Sequence, residues 1–588
     1  MLTALLAILL APADSTTVIR VNQVGYLPDA PKVAVACSLD SARVATFVVR
    51  DERDRVVYGP RRAERAPGFG PCVVTHRLDF TALRRPGRYR LVVGAVSSPF
   101  VRIGPHVYDG AADTLLYYMR QQRSGWNPLF RDSVHTHDGI IVDSPRAGQR
   151  IPVSGGWADA SDYLQYVTTS ANATFVMLMA YRDHPSAFAD HFQANGTAGA
   201  NGTADVLDEA RHGLEWLARM LPGDGGMYNQ LADDRDHSYF DLPVNDSSDY
   251  GWGKGRERPV YPCTGRPQGL FQHKNRSTGL ASTAGKYASA FALGAKLFAA
   301  RDSAFADTLR HRADAAYRMG RANPGVCQTA PGRAPYFYEE DNWADDMELG
   351  AAVLSDLSGQ RELLAEAIAY ASQEPVTPWM GADTANHYQW FPWHNNGHYE
   401  IWRAAHAKSD VATQRRMAGY YRRGIEAVAH RAENGFRIGV PFIWCSNDLM
   451  TSFATQAMLY RRMTGDQRYR SYEQAALDWL LGTNPWGVSM VIGYPNDGVT
   501  AKDPHSAVAA RLGVDKLLGG LLDGPVYRSI YSSLKGIALH RPDEYARFNT
   551  GRIVYHDDLG DYSTNEPIMD GTASLTYLLS GLAAPAIP

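Results

Sequence analysis

Between residues 18 and 104 apolar and polar side chains alternate in short runs, at 18–21, 32–37, 45–50, 56–58, 72–78 and 89–93. Turn residues separate them, as at Leu27-Pro28-Asp29 and Arg85-Pro86-Gly87. Period-two alternation between such breaks predicts strands, and short strands at this spacing predict a small β-sandwich. Gly104-Pro105 reads as its boundary. From about residue 108 the period becomes helical. Leu207, Ala210, Leu214, Leu217 and Leu221 share one stripe. Asp205, Asp208 and Glu209 occupy its first turn, where the helix dipole favours negative charge. Residues 278–300 are dense in Ala, Gly and Ser, as in a helix packed closely on its neighbours. The segment 452–463 ends at Thr464-Gly465, a helix stop, and 469–481 follows as another helix. Roughly a dozen segments share this period. Between them run loops rich in Gly, Pro, Trp and Asp, at 222–275, 376–398 and 483–530. Loops of that length in a compact domain usually carry function. The pattern predicts a helical toroid with its loops crowded at one end.

A chain of 588 residues exceeds what one hydrophobic core serves, which predicts two domains, 16–104 and 105–588. Residues 1–13 are apolar and close on an Ala-x-Ala site, so 1–15 read as a signal peptide and the protein as secreted or periplasmic. That stretch is shorter than the roughly 20 residues a membrane span needs, and no membrane partner is expected. With 59 basic and 62 acidic residues and no basic stripe, nucleic acid is not expected as a partner either. The five cysteines are scattered, and no CxxC occurs. A Cys37–Cys72 bridge and buried free thiols are both compatible with their placement. No Gly-x-x-x-x-Gly-Lys-Ser/Thr loop, βαβ alternation or Gly-x-Ser-x-Gly elbow is present, which argues against nucleotide enzymes and serine hydrolases. The 12 Trp and 32 Tyr supply flat rings of the kind that line sugar clefts.

Two acidic stretches carry the chemistry. In Gly155-Gly156-Trp157-Ala158-Asp159-Ala160-Ser161-Asp162-Tyr163 two carboxylates stand three residues apart; on a helical turn they would share a face and hold one water. Far downstream, Ser563-Thr564-Asn565-Glu566-Pro567 offers a third acid, with Asn565 and Ser563 as its hydrogen-bond partners and Pro567 to stiffen the loop. A glycosidase needs two carboxyl groups flanking one bond. The acid of the pair must keep its proton near neutral pH, through burial or like charge. Without such a partner these residues would be ordinary helix caps.

The first stretch resembles the Gly-Gly-Trp-x-Asp-Ala-Gly-Asp motif of glycoside hydrolase family 9. Asp561-Tyr562-Ser563-Thr564-Asn565-Glu566-Pro567-Ile568-Met569-Asp570 resembles that family's C-terminal acid motif. Val21-Asn22-Gln23-Val24-Gly25-Tyr26 looks like the start of the immunoglobulin-like domain that often precedes it. The resemblance implies an (α/α)6 barrel behind an immunoglobulin-like β-sandwich. It implies inverting hydrolysis of β-1,4-glucan, with Asp162 as general base, Asp159 as its partner on the water and Glu566 as general acid. Trp157, Tyr163, His237, His505, Trp390 and Trp393 are the expected substrate contacts. Trp379, Trp390, Phe391 and Trp393 cluster in one loop as a sugar platform. Where the family often has Pro-His-His-Arg, Pro504-His505-Ser506-Ala507 keeps one histidine; Gly571 stands where a Tyr is common. These departures leave a second substrate open: an exo-acting β-glucosaminidase on chitosan oligosaccharides, in an anionic pocket. A non-catalytic sugar-binding scaffold would have lost a catalytic carboxylate, and both are present. No cofactor is required. Zinc is not expected: His135 and His137 lack thiolate partners, with Ser124 and Val134 at the matching positions. A structural calcium ion at Asp345 and Asp346 is the one metal expected, because that pair resembles a family calcium segment, although a third acid near 393–395 is missing.

Overall fold

The computed structural model describes residues 16–382 and 395–584. Nine strands open the described chain: β1 (Thr17–Arg20), β2 (Val33–Ser38), β3 (Thr46–Asp51), β4 (Val56–Arg62), β5 (Glu64–Ala66), β6 (Val74–Asp79), β7 (Gly87–Val93), β8 (Val96–Ser97) and β9 (Val101–Ile103). They form two antiparallel sheets, ordered β1-β2-β6-β5 and β4-β3-β7-β8, with β9 also on β7. Ala34, Ala36, Phe47, Val49, Leu78 and Leu91 fill the space between the sheets. The intervening residues of β2, Val35 and Cys37, point the other way, into the core of the following domain. That is why β2 is apolar on both faces instead of alternating. Cys37 is bridged to Cys72, and beside them Phe69 meets the rings of Phe436, Phe442 and Trp479.

The opening Asn22-Gln23 pair locks the two domains together. Asn22 donates to Asp478 at 2.8 Å and to the Tyr108 hydroxyl at 3.0 Å. The Gln23 backbone N–H donates to the Leu481 carbonyl at 2.9 Å, and its side-chain oxygen accepts from Val499 N–H at 2.6 Å.

Twelve longer helices follow among the described residues: α1 (Ala111–Gln121), α2 (Val167–Asp183), α3 (Asp205–Met220), α4 (Ala281–Phe298), α5 (Ser303–Ala322), α6 (Ala344–Ser358), α7 (Arg361–Ala371), α8 (Asn396–Ala407), α9 (Val411–Arg431), α10 (Ser446–Thr464), α11 (Arg470–Leu480) and α12 (Met569–Ala583). Their packing closes on itself: α2 on α4, α4 on α6, α6 on α8, α8 on α9, α9 on α10, α10 on α12, and α12 back on α2. Outer helices back this circuit as hairpin partners, α3 behind α2, α5 behind α4, α7 behind α6, α11 behind α10 and α1 against α12. The expected stripe on α3 is buried from Leu207 to Leu217. The small residues of α4 have the expected cause: a Cβ on Gly294 would come within 2.7 Å of Leu214, and one on Gly285 would overlap the backbone of Asp346.

The expected loop at 222–275 is partly sheet. Tyr228–Leu231 and Arg258–Pro262 pair antiparallel; the first also pairs with Gln165–Tyr166 and the second with Gly139–Ile141. A second bridge, Cys263–Cys327, ties this sheet to the loop after α5, and Cys445 is buried outside any bridge with its thiol on Asp523 at 3.3 Å. Five cysteines thus give two bridges and one thiol. Trp379, expected in a sugar platform, is fully buried in the core. Trp390, Phe391 and Trp393 lie outside the described residues.

Candidate active site

The acidic stretch after Ser154 is not a helical turn. Gly155 and Gly156 both adopt positive φ, 103° and 73°, and a Cβ on Gly156 would come within 2.6 Å of the Trp216 ring. Glycine is what the backbone needs there. The chain then runs under α1, where Ala158 N–H donates to the Gln122 carbonyl at 2.8 Å and the Gln122 side chain bonds the carbonyls of Ala158 and Ala160. Trp157 is fully buried, and its indole N–H donates to Glu209 at 2.8 Å. Glu209 is also held by both prongs of Arg123, at 3.0 and 2.7 Å. Trp157 is therefore an anchor of the turn, and its expected contact with substrate is ruled out by burial.

The two aspartates part company because the turn is not helical. Asp159 faces inward, accepting from the Thr169 hydroxyl at 2.5 Å and from the Tyr338 phenol. Burial, then the charges of Asp570 and Asp162, push its pKa well above the usual carboxylate range, against the pull of those two donors. Asp162 faces the cleft with about a fifth of its side chain exposed. One oxygen accepts from Leu164 N–H at 3.0 Å, and the other lies 3.3 Å from Nε2 of His237. Burial disfavours the His237 imidazolium, but the Asp162 hydrogen bond and the charges of Asp236, Asp162 and Glu566 outweigh it and raise the pKa to about 10.

Glu566 arrives from the opposite end of the chain. Its loop is organised by Asp561, a buried carboxylate that accepts from the backbone and side chains of Ser563 and Thr564 and from His556. The expected partners of Glu566 are thus engaged elsewhere: Ser563 on Asp561, and Asn565 on the Asp503 carbonyl. The donor to Glu566 is Ser161, 405 residues away, whose backbone N–H lies 3.0 Å from Oε1 and whose hydroxyl bonds the same oxygen. Met569 N–H donates to the Asp159 carbonyl at 2.9 Å, so the first residue of α12 is tied to the early turn as well. Burial raises the Glu566 pKa and Asp162 adds to it; His505 and the Ser161 donors hold it back.

Around these acids stand several side chains, and three of them, Asp236, Phe240 and Tyr336, lie outside the sequence-based expectation. Asp236 is almost fully buried, accepts from Tyr163 N–H at 3.0 Å, and is pushed well above the usual carboxylate range by burial and by Asp162. It lies in the 222–275 loop close to Asp233 and Asp234, and nothing in the spacing singles it out from them. Tyr163 is buried, with its phenol on the Asp241 carbonyl; it braces the 236–241 loop, which corrects its expected role as a substrate contact. His135, behind it, bonds Asp246 at 2.9 Å. His505 is fixed by its backbone on the Asn565 carbonyl at 2.9 Å and by Nδ1 on the Leu559 carbonyl at 2.5 Å. Phe240, 41% exposed, packs on the His505 ring with centroids 5.1 Å apart. Tyr336, 36% exposed, lies 6.4 Å from the His237 ring.

The expected calcium segment is occupied by a side chain. The buried Lys286 ammonium donates to Asp346 at 2.7 Å and to Glu340. Asp345 turns instead toward Asn342, which donates at 2.8 Å. Among the described residues no group of three or more His, Cys, Asp or Glu side chains is gathered as a metal site.

With the two motifs joined at Ser161, comparison with known proteins is decisive. The sequence profile of glycosyl hydrolase family 9 matches residues 108–579, and that of the cellulase N-terminal ig-like domain matches residues 14–98. The chain belongs to glycosyl hydrolase family 9. It is a glycoside hydrolase with an immunoglobulin-like domain ahead of a mainly helical one. Relatives in the family include Endoglucanase C of Cellulomonas fimi, 26% identical over 97% of this chain; the chain spans about half (52%) of that protein's length. The xyloglucan-specific endo-beta-1,4-glucanase of Bacteroides ovatus is 26% identical over 99% of this chain and 97% of its own. A metagenome-derived family 9 endoglucanase of known crystal structure is 29% identical, with a TM-score of 0.75 over 97% of this chain and 99% of its own.

Proposed function

We propose that this enzyme hydrolyses β-1,4-linked glucan with inversion, using Asp162 as general base and Glu566 as general acid. The observation that carries the reading is the junction at Ser161. It brings a half-buried carboxyl with a raised pKa beside Asp162, across 405 residues of chain. Glu566 gives its proton to the glycosidic oxygen as the bond to the anomeric carbon breaks. A water on the opposite face attacks that carbon and gives its proton to Asp162. Asp159, held by Thr169 and Tyr338, fixes the wall behind that water. His505 and Phe240 face the sugar on the Glu566 side, and His237 and Tyr336 on the Asp162 side.

The helical circuit is read as an (α/α)6 barrel, six hairpins with the site at one end. The two disulfides support export to an oxidising compartment, secreted or periplasmic. The glucosaminidase reading rested on an anionic pocket. His237, cationic with a pKa near 10, stands beside Asp162, so among the described residues the cleft is not a bare field of carboxylates, which weakens the case for an amino sugar. The test is a panel of cellopentaose, xyloglucan and chitosan pentamer, with product sizes and the anomeric configuration of fresh product read by proton NMR. Cleavage of a glucan to an α-anomer is expected; a β-anomer refutes the inverting assignment, and turnover of chitosan alone refutes the substrate.

A further inference from the structure

Ser161 stands where the Gly-Gly-Trp-x-Asp-Ala-Gly-Asp pattern has its third glycine, so it carries a hydroxyl that the pattern lacks. It is not a surface decoration. Both of its donors, backbone N–H and Oγ–H, reach one and the same atom, Oε1 of Glu566. The loop's own polar residues are committed elsewhere, Ser563 and Thr564 to Asp561 and Asn565 to Asp503 and Asp557. The Glu566 carboxyl is therefore oriented from the early turn and not from its own loop.

We propose that Ser161 is a positioning residue for the general acid: two donors on Oε1 fix the transferable proton on Oε2 and take up the charge that appears when that proton leaves. The inference rests on the reading of Glu566 as the acid. An oxygen that already accepts two hydrogen bonds is a poor place for the acid's own proton, because both donors would have to turn away. The proton stays on Oε2, the oxygen free to meet the leaving group. As it passes to the glycosidic oxygen, the electron pair of the breaking C–O bond stays with that oxygen. Negative charge then spreads over the carboxylate, and the two bonds to Oε1 become charge-assisted and stronger. A bond that strengthens along the reaction lowers the barrier, not only the ground state. The hydroxyl acts among several charges and phenols: Asp162 on the same turn, His505 and Asp523 from the loops beside Glu566, His237 across the cleft, and the phenols of Tyr118, Tyr336 and Tyr562. None of these changes when only the hydroxyl is removed.

The test is the pH dependence of kcat/KM and kcat for Ser161→Ala and Ser161→Thr on a soluble β-glucan. Without the hydroxyl the Glu566 carboxylate loses a stabilising donor, the acid holds its proton to higher pH, and the basic limb moves up by about one pH unit. Plateau kcat falls roughly tenfold, the worth of one charge-assisted hydrogen bond, with KM little changed. Ser161→Thr, which keeps the hydroxyl, restores both. A merely structural role would lower activity at every pH without moving the limb. An unmoved limb in Ser161→Ala, or a Thr variant no better than the Ala variant, overturns the proposal. Should the Ala variant melt early, Ser161→Gly makes the same comparison with the backbone donor kept. Glu566→Gln on an aryl cellobioside with an acidic leaving group separates the two readings. If it is as slow there as on glucan, the acid assignment itself fails. If it recovers there while Ser161→Ala matches wild type, only the role of Ser161 falls.

Discussion

Glu209→Gln is the perturbation that most directly asks whether the buried frame sets the catalytic turn. Glu209 is fully buried and takes three donors: the Trp157 indole at 2.8 Å and the two Arg123 nitrogens at 3.0 and 2.7 Å. A glutamine there has one oxygen for three donors, and its amide hydrogens face another donor. Arg123, with a side chain 2% exposed, would keep its bond to the Ala194 carbonyl at 3.0 Å but lose its countercharge. Breaking one half of a buried ion pair costs about 3–5 kcal/mol. Trp157 opens the run to Asp162, and a misplacement of about 1 Å at the reacting groups costs roughly a hundredfold in rate. Glu209→Gln is therefore expected to lower stability by about 4 kcal/mol and to cut kcat far more than it raises KM. The double variant Arg123→Met/Glu209→Gln removes both charges and should lose less stability than the sum of the single variants. Urea unfolding followed by fluorescence and steady-state kinetics on a soluble glucan measure both effects. A single variant within about 1 kcal/mol of wild type, with kcat intact, would refute the claim that this pair holds the turn.

Four further outcomes are expected. Asp162→Asn and Glu566→Gln should each cut turnover by several orders of magnitude with little change in melting temperature; wild-type-like activity in either ends its assignment. Asp478, buried and bonded to Asn22 and Gln474, has its pKa raised by burial to about 7 from an ordinary 3.8. The folded state then holds that proton after the unfolded chain has released it, so this carboxyl's contribution to stability declines as pH rises from about 4 to 7. Asp478→Asn should flatten that decline in a series of melting temperatures against pH, and an unchanged slope would place the effect elsewhere. Lys286→Met should destabilise by about 3–5 kcal/mol, because it leaves Glu340 and Asp346 buried without their cation. A chelator should not move the wild-type melting temperature, and a drop on chelation would put a metal at Asp345–Asp346 despite Lys286.

What could be read from the chain follows what each pattern is made of. The strands of the N-terminal domain and the stripe on α3 were legible because period two and period 3.6 are direct consequences of one-sided burial. The acids Asp159, Asp162 and Glu566 were legible because motif and order stand in the sequence itself. Their environment was not. The turn reads as helical by spacing, yet two glycines at positive φ send Asp159 inward and Asp162 outward. Trp157 and Tyr163 look like sugar contacts beside an acid, but an aromatic ring in a turn is as ready to be an anchor, and burial decides between the two only in three dimensions. Lys286 gave no signal, since a lysine in a helix of alanines reads as surface until Glu340 and Asp346 close on it. Ser161 was not singled out, because its partner lay 405 residues away.

The departure at Gly571 belongs to the same packing solution as the acids around it. A Cβ on Gly571 would collide with Oδ1 of Asp448, so the volume left by the missing side chain is filled by a carboxyl from α10. Asp448 and Asp570 are both buried, and burial, then the charges of Asp570, Asp523 and Asp159, push the Asp448 pKa well above the usual carboxylate range. Asp523, on the other side, is raised by burial and by Glu566. Were these groups ionised, the field on Glu566 and Asp159 would be several negative charges at close range. Burial drives Asp448 and Asp523 toward the neutral form, which adds no charge to that field. Burying carboxyls in this form keeps the environment of Glu566 one in which a proton is held, while Asp162 faces water and an imidazolium. On the proposed assignment, the division of labour between acid and base follows from that difference in surroundings, since the two side chains differ by a single methylene.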